Sequence, residues 1–181
     1  MTTTSPRQSI RWRALSVSEL AASPEAKLGG ALGVIFWGAV AMVALVVLVI
    51  AWLIAFGDFF STTMMSRMMF SGSGMASVVA GISMIPQAMF FIWAFVFAVM
   101  TMGRRPATPR VASLLMVMWA LTSIGAQIAT RFVIAQHRFD LVSLATLLPY
   151  IILEIVTVAA FWGYMHDARR PNIYFLKRVR A

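Results

Sequence analysis

Four apolar stretches, at residues 31–56, 76–102, 111–136 and 141–165, take up most of this chain of 181 residues. Each runs for about 25 residues, which at about 1.5 Å per residue reaches across a hydrocarbon core of about 30 Å with some tilt. That feature fixes the fold class. The chain reads as an all-α integral membrane four-helix bundle (31–165), preceded by a polar segment (1–30) and followed by a basic tail (166–181). It is 61% hydrophobic and only 12% charged, with a mean hydropathy of +0.85, whereas a soluble domain carries about 25% charged residues. No length remains for a soluble catalytic domain.

The net charge of +9 does not point to nucleic acid here. Lysine and arginine mark the cytoplasmic segments of a membrane protein and touch anionic lipid head groups. Arg7, Arg11, Arg13 and Lys27 precede the first span. Arg104, Arg105 and Arg110 lie between the second and third, and Arg169, Arg170, Lys177, Arg178 and Arg180 follow the fourth, so twelve of the fifteen basic residues fall on one side. Both termini are therefore expected in the cytoplasm, in a bacterial inner membrane. The first span is not expected to be a cleaved signal, because about thirty polar residues precede it and it is too long for an h-region. The chain has no cysteine, which excludes disulfides, thiolate metal sites and a cysteine nucleophile.

Around the spans, Trp12 stands between Arg11 and Arg13, and Ser16 and Glu19 have the spacing of a capping box. A short interfacial helix is expected here. The outer segment 59–75 is rich in Phe and Met and is expected to lie in the interface or on the bundle as an apolar outer loop. Met65, Met68 and Met69 have helical spacing, but no histidine joins them, and methionine is a common apolar filler. No metal and no cofactor are expected. His137 and His166 fall on opposite sides of the membrane and cannot share a site. Pro149 is expected to kink the fourth span.

Glu154 is the candidate functional residue. It lies about 20 Å from the outer end of its span, where an unpaired carboxylate is costly. Tyr150 and Thr157 share its face, and Gln87 and Gln127 lie at similar depth in the second and third spans. A polar cluster of Glu154, Tyr150, Gln87, Gln127 and Thr157 is expected. It is either a proton relay or ligand site, or an interhelical hydrogen-bond network that fixes packing. Thr122, Ser123, Gly125, Gln127 and Thr130 form a small and polar stripe of the kind that lets membrane helices approach closely. Arg131 is expected to snorkel toward Asp140 or Asp58.

After the fourth span, Tyr164, Arg170 and Phe175 resemble the closing signature of a family of small four-span bacterial membrane proteins catalogued as domain of unknown function 2569. In that family an aromatic pair is followed by Ser-x-Arg-Val and then Thr-Phe. Here Ala168 stands for the serine, Pro171 for the valine and Tyr174 for the threonine. Gly29-Gly30 with Leu32 is similar to that family's Gly-Gly-Trp-Leu, with Ala31 in place of the tryptophan. The resemblance implies four spans with cytoplasmic termini and supplies no activity. The residues themselves suggest a basic and aromatic collar of Arg11, Trp12, Arg13, Arg104, Arg105, Arg169, Arg170, Lys177 and Arg178, facing anionic lipid or a partner. The expected function is that of a non-catalytic accessory or scaffold subunit of a larger membrane complex, bound to other subunits or to itself. The alternative is a small oligomeric transporter or channel centred on Glu154. No catalytic constellation is legible.

Overall fold

The computed structural model describes residues 12–56, 74–135, 142 and 145–180. Strand β1 (Trp12–Ala14) leads into helix α1 (Val17–Ala22) and a 3-10 turn at Pro24–Ala26. Four long helices follow, α2 (Gly30–Phe56), α3 (Met75–Met102), α4 (Thr108–Ile134) and α5 (Leu148–Asp167). The short helix α6 (Arg169–Leu176) and strand β2 (Arg178–Arg180) close the chain. Helices α2 to α5 are long and apolar enough to cross a membrane, so the chain folds as a multi-pass membrane protein. The apolar outer loop lies mostly outside the described residues.

Helix α2 is apolar on every side, as a helix surrounded by lipid must be. Helices α3 and α4 form the most extensive interface in the bundle. Ala94 and Ala98 on α3 and Ala112 on α4 are buried, and such small side chains let backbones come close. The turn between them is held by Thr108, whose hydroxyl donates to the Arg105 carbonyl at 2.6 Å.

The four helices are tightly packed at the end that carries both termini. Leu32, Phe36 and Ala39 of α2 meet Trp93 and Phe97 of α3, Met116 of α4, Phe161 and Met165 of α5, and Tyr174 and Phe175 of α6. Aromatic geometry organises this core. Phe90, Trp93 and Phe97 stack in series, with ring centroids 5.2 and 5.5 Å apart. Phe161 meets Trp93 and Phe97 edge-on at 5.6 and 6.2 Å, the arrangements ring quadrupoles favour. The Trp93 indole N–H donates to the Ala112 carbonyl at 3.1 Å, tying α3 to α4. Toward the far end Leu45, Leu48, Leu153 and Ile155 are exposed to the surroundings.

A plate built from both ends of the chain covers the packed end. β1 and β2 pair antiparallel with Arg13 opposite Val179, and the Leu15 N–H donates to the Lys177 carbonyl at 2.9 Å. Ser16 caps α1 with the expected capping box, Glu19 reaching back to the Ser16 N–H at 2.8 Å. Trp12 itself lies in β1 and not in a helix, with the Arg178 guanidinium 4.3 Å above its ring. Gly30 has a φ of 55°, and the Arg170 side chain lies over it while donating to the Lys27 carbonyl at 3.1 Å. Asn172 is fully buried. Its amide donates to the carbonyls of His166 and Ala168, at 2.8 and 2.9 Å, and its oxygen accepts from Arg178 at 3.0 Å.

Pro149 does not kink a span. Thr146 and Leu147 form a turn, and α5 begins at Leu148 with the proline in its first turn, where a missing N–H removes no helical bond. Pro86 does sit inside α3, where its ring leaves the carbonyl four residues earlier without a helical partner.

Candidate functional site

Glu154 lies six residues into α5, about 9 Å along the helix. Ser123 and Gln127, four residues apart on one face of α4, both reach it. The Ser123 hydroxyl donates to Glu154 Oε1 at 2.6 Å and the Gln127 amide donates to the same oxygen at 2.7 Å. Gln127 also donates to the Ser123 oxygen at 3.3 Å. Glu154 Oε2 is buried and has no hydrogen-bond partner. Two membrane helices are thus joined by a triad with short bonds of the kind carboxyl oxygens form.

Ser123 and Gln127 also form part of the wall of a cavity of about 660 Å³ in the half of the bundle away from the termini. That volume lies within the range of about 300–1,000 Å³ usual for small-molecule sites. Phe90 and Trp119, with centroids 5.3 Å apart, stand at its deep end next to the aromatic core. Pro86 and Gln87 line it from α3, and Thr130 and Arg131 from α4. Glu154 itself stands behind Ser123 and Gln127.

The expected cluster is therefore divided. Gln127 bonds Glu154 directly. Gln87 lines the same cavity from α3 and makes no bond to the carboxyl. Tyr150 is 61% exposed, and the Thr157 hydroxyl turns back to the Leu153 carbonyl at 2.8 Å, so neither belongs to the network. Tyr150 and Thr157 sit on the exposed side of α5, and a face shared along the helix is not a shared buried site. Ser123 was legible only as a packing residue in the polar stripe; its spacing of four from Gln127 was the available signal. Asp58 and Asp140, the expected partners of Arg131, lie outside the described residues, as do Arg11, His137 and the outer methionines.

Much of the collar is engaged within the protein. Arg104 lies over the Tyr174 ring at 5.0 Å, Arg13 pairs with Glu19 at 2.7 Å and Arg169 with Glu25 at 3.5 Å. Arg105 and Lys177 are exposed. The Ser16 backbone N–H, then the Arg13 guanidinium, lower the Glu19 carboxyl from 4.5 to about 2. The Ser23 hydroxyl lowers Glu25. His166 stacks on Trp162 and bonds its carbonyl, and among the described residues no group of three potential ligands gathers to hold a metal. No known protein family, curated protein or solved structure matches the chain.

Proposed function

We propose that this chain is a non-catalytic integral protein of the bacterial inner membrane that binds a small solute between α2, α3 and α4 and works as a small oligomeric transporter or channel. One observation carries the reading. A cavity of about 660 Å³ with amide, hydroxyl and guanidinium groups in its wall sits among helices of membrane-spanning length. Polar groups at that depth are costly unless they serve a bound molecule, water or one another. Four spans are few for a carrier working alone, so self-association belongs to the proposal.

The proposal puts both termini in the cytoplasm, and its support is that Arg13, Lys27, Arg104, Arg105, Arg110, Arg169 and Arg170 gather at the packed end. There α1 lies at the interface, and Arg105 and Lys177 meet anionic lipid head groups. We also propose membership of the four-span family named above. Its support is that the two motifs meet in space, with Arg170 seated over Gly29 and Gly30.

A second reading, an accessory subunit, is favoured by a concave apolar groove along Leu48, Val49, Ala51, Trp52 and Ala55 of α2. Purification in a gentle detergent with native mass analysis separates the two. A homo-oligomer without other proteins is expected. A stoichiometric larger partner would overturn the transporter reading in favour of the subunit.

A further inference from the structure

The chemistry of the cavity wall narrows what can fill it. The donors of the Glu154 triad are already committed. Ser123 gives its proton to Glu154, and Gln127 directs its amide nitrogen to Glu154 and Ser123. Ser83, also in the wall, gives its proton to the Val79 carbonyl at 2.8 Å. Gln127 and Ser83 therefore keep only acceptor capacity for the cavity. The uncommitted donors in the wall, among the described residues, are the Gln87 amide, the Trp119 indole N–H, the Thr130 hydroxyl and the Arg131 guanidinium. Arg131 is also the one charged side chain in the described lining, since the Glu154 carboxyl stands behind its two partners. The remainder is apolar, with the Phe90 and Trp119 rings at the deep end.

We infer that the cavity takes an amphipathic organic anion, its acid group held by Arg131 with Gln87 and Thr130, and its apolar body lying toward Phe90 and Trp119. Arginine suits this role because its planar fork matches the geometry of a carboxylate or phosphate. The inference rests on the reading of the cavity as a ligand site. Two sources share this chemistry, an anionic phospholipid drawn from the bilayer and a soluble organic acid.

The test is equilibrium binding to the purified full chain in a neutral maltoside detergent. The probes are 2-naphthoate with its neutral partner 2-naphthamide, and dioctanoyl phosphatidic acid with neutral dioctanoylglycerol. At least one anion is expected to bind about tenfold or more tightly than its neutral partner, as a charge-assisted contact allows. The anion that does so identifies the source. The preference should disappear in Arg131→Gln and survive in Arg131→Lys and in Arg110→Gln, which lies at the opposite end of α4. Arg131→Lys also guards against a variant that merely fails to fold. Equal binding of anion and neutral partner, lost in the cavity-filling Ala126→Trp, would overturn the anion inference and leave the ligand site standing. Binding of no probe would overturn both.

Discussion

The Ser123 hydroxyl meets Glu154 Oε1 at 2.6 Å across the α4–α5 interface, and Gln127 joins the same oxygen from one turn further along. Glu154→Ala strands both donors. Interhelical hydrogen bonds in membranes contribute about 0.6 kcal/mol on average and up to about 1.7, so the loss of two should cost about 1–3 kcal/mol. Glu154→Gln keeps an acceptor for both and replaces the unpartnered Oε2 with an amide nitrogen, for a cost of about 1 kcal/mol or less. Thermal unfolding in detergent should therefore rank wild type above Glu154→Gln above Glu154→Ala. An alanine variant as stable as wild type would show that the bonds contribute nothing.

Gly30 combines a φ of 55° with Arg170 lying over its Cα, and a Cβ there would come within 3.3 Å of Arg170 Nε. A left-handed backbone costs a residue with a side chain about 1–2 kcal/mol. Gly30→Ala should lower the unfolding midpoint, while Gly33→Ala, whose Cβ meets nothing within 4 Å, should leave it level or raise it. Equal effects at the two positions would remove the Arg170 contact from the account.

Asn172 holds the last carbonyls of α5 and the Arg178 side chain at once. Asn172→Asp would turn a lone-pair oxygen toward two carbonyls, so it should be worse than Asn172→Ala, with a loss of about 2–4 kcal/mol as buried polar groups lose their partners. Limited trypsin digestion should cut wild type slowly at Arg13 and Lys27 and the aspartate variant fast. Equal rates would mean that Asn172 does not hold the terminal plate together.

Glu19 titrates near 2 when folded, against 4.5 in its ordinary state. A depressed folded value stabilises the charged form, so its contribution is complete above about 4.5 and fades as the pH falls toward 2. The capping of α1 should weaken through that window. Protease protection of the N-terminal segment, followed with acid-active pepsin, should fall with pH in wild type and be lower and flatter in Glu19→Gln. Protection that does not change between pH 4.5 and 2 would contradict the role of Ser16 and Arg13 in holding this carboxyl.

The spans were legible because bilayer thickness and backbone satisfaction leave so few choices. Ser16 with Glu19, and Gln127 at the depth of Glu154, were legible because both depend on spacing along a helix. The rest depends on how helices turn about their own axes. In a helix as uniformly apolar as α2, or over the exposed outer half of α5, nothing local fixes that angle. Gln87 therefore shares the depth of the triad but not its bond, and Tyr150 shares the face of Glu154 but not its burial. The pairing of Trp12 and Arg180 joins opposite ends of the chain, beyond any local pattern.

A solute that binds among the spans needs the polar cavity there to open to water. The chain lacks cysteine, so single cysteines can be placed at will. Thr130→Cys in the cavity wall and Ile152→Cys on the exposed face of α5 should be treated in intact membranes with a charged, membrane-impermeant thiol reagent. Rapid labelling is expected at 130 and none at 152. If position 130 stays as unreactive as position 152, the cavity is closed to water and the solute-binding account is wrong.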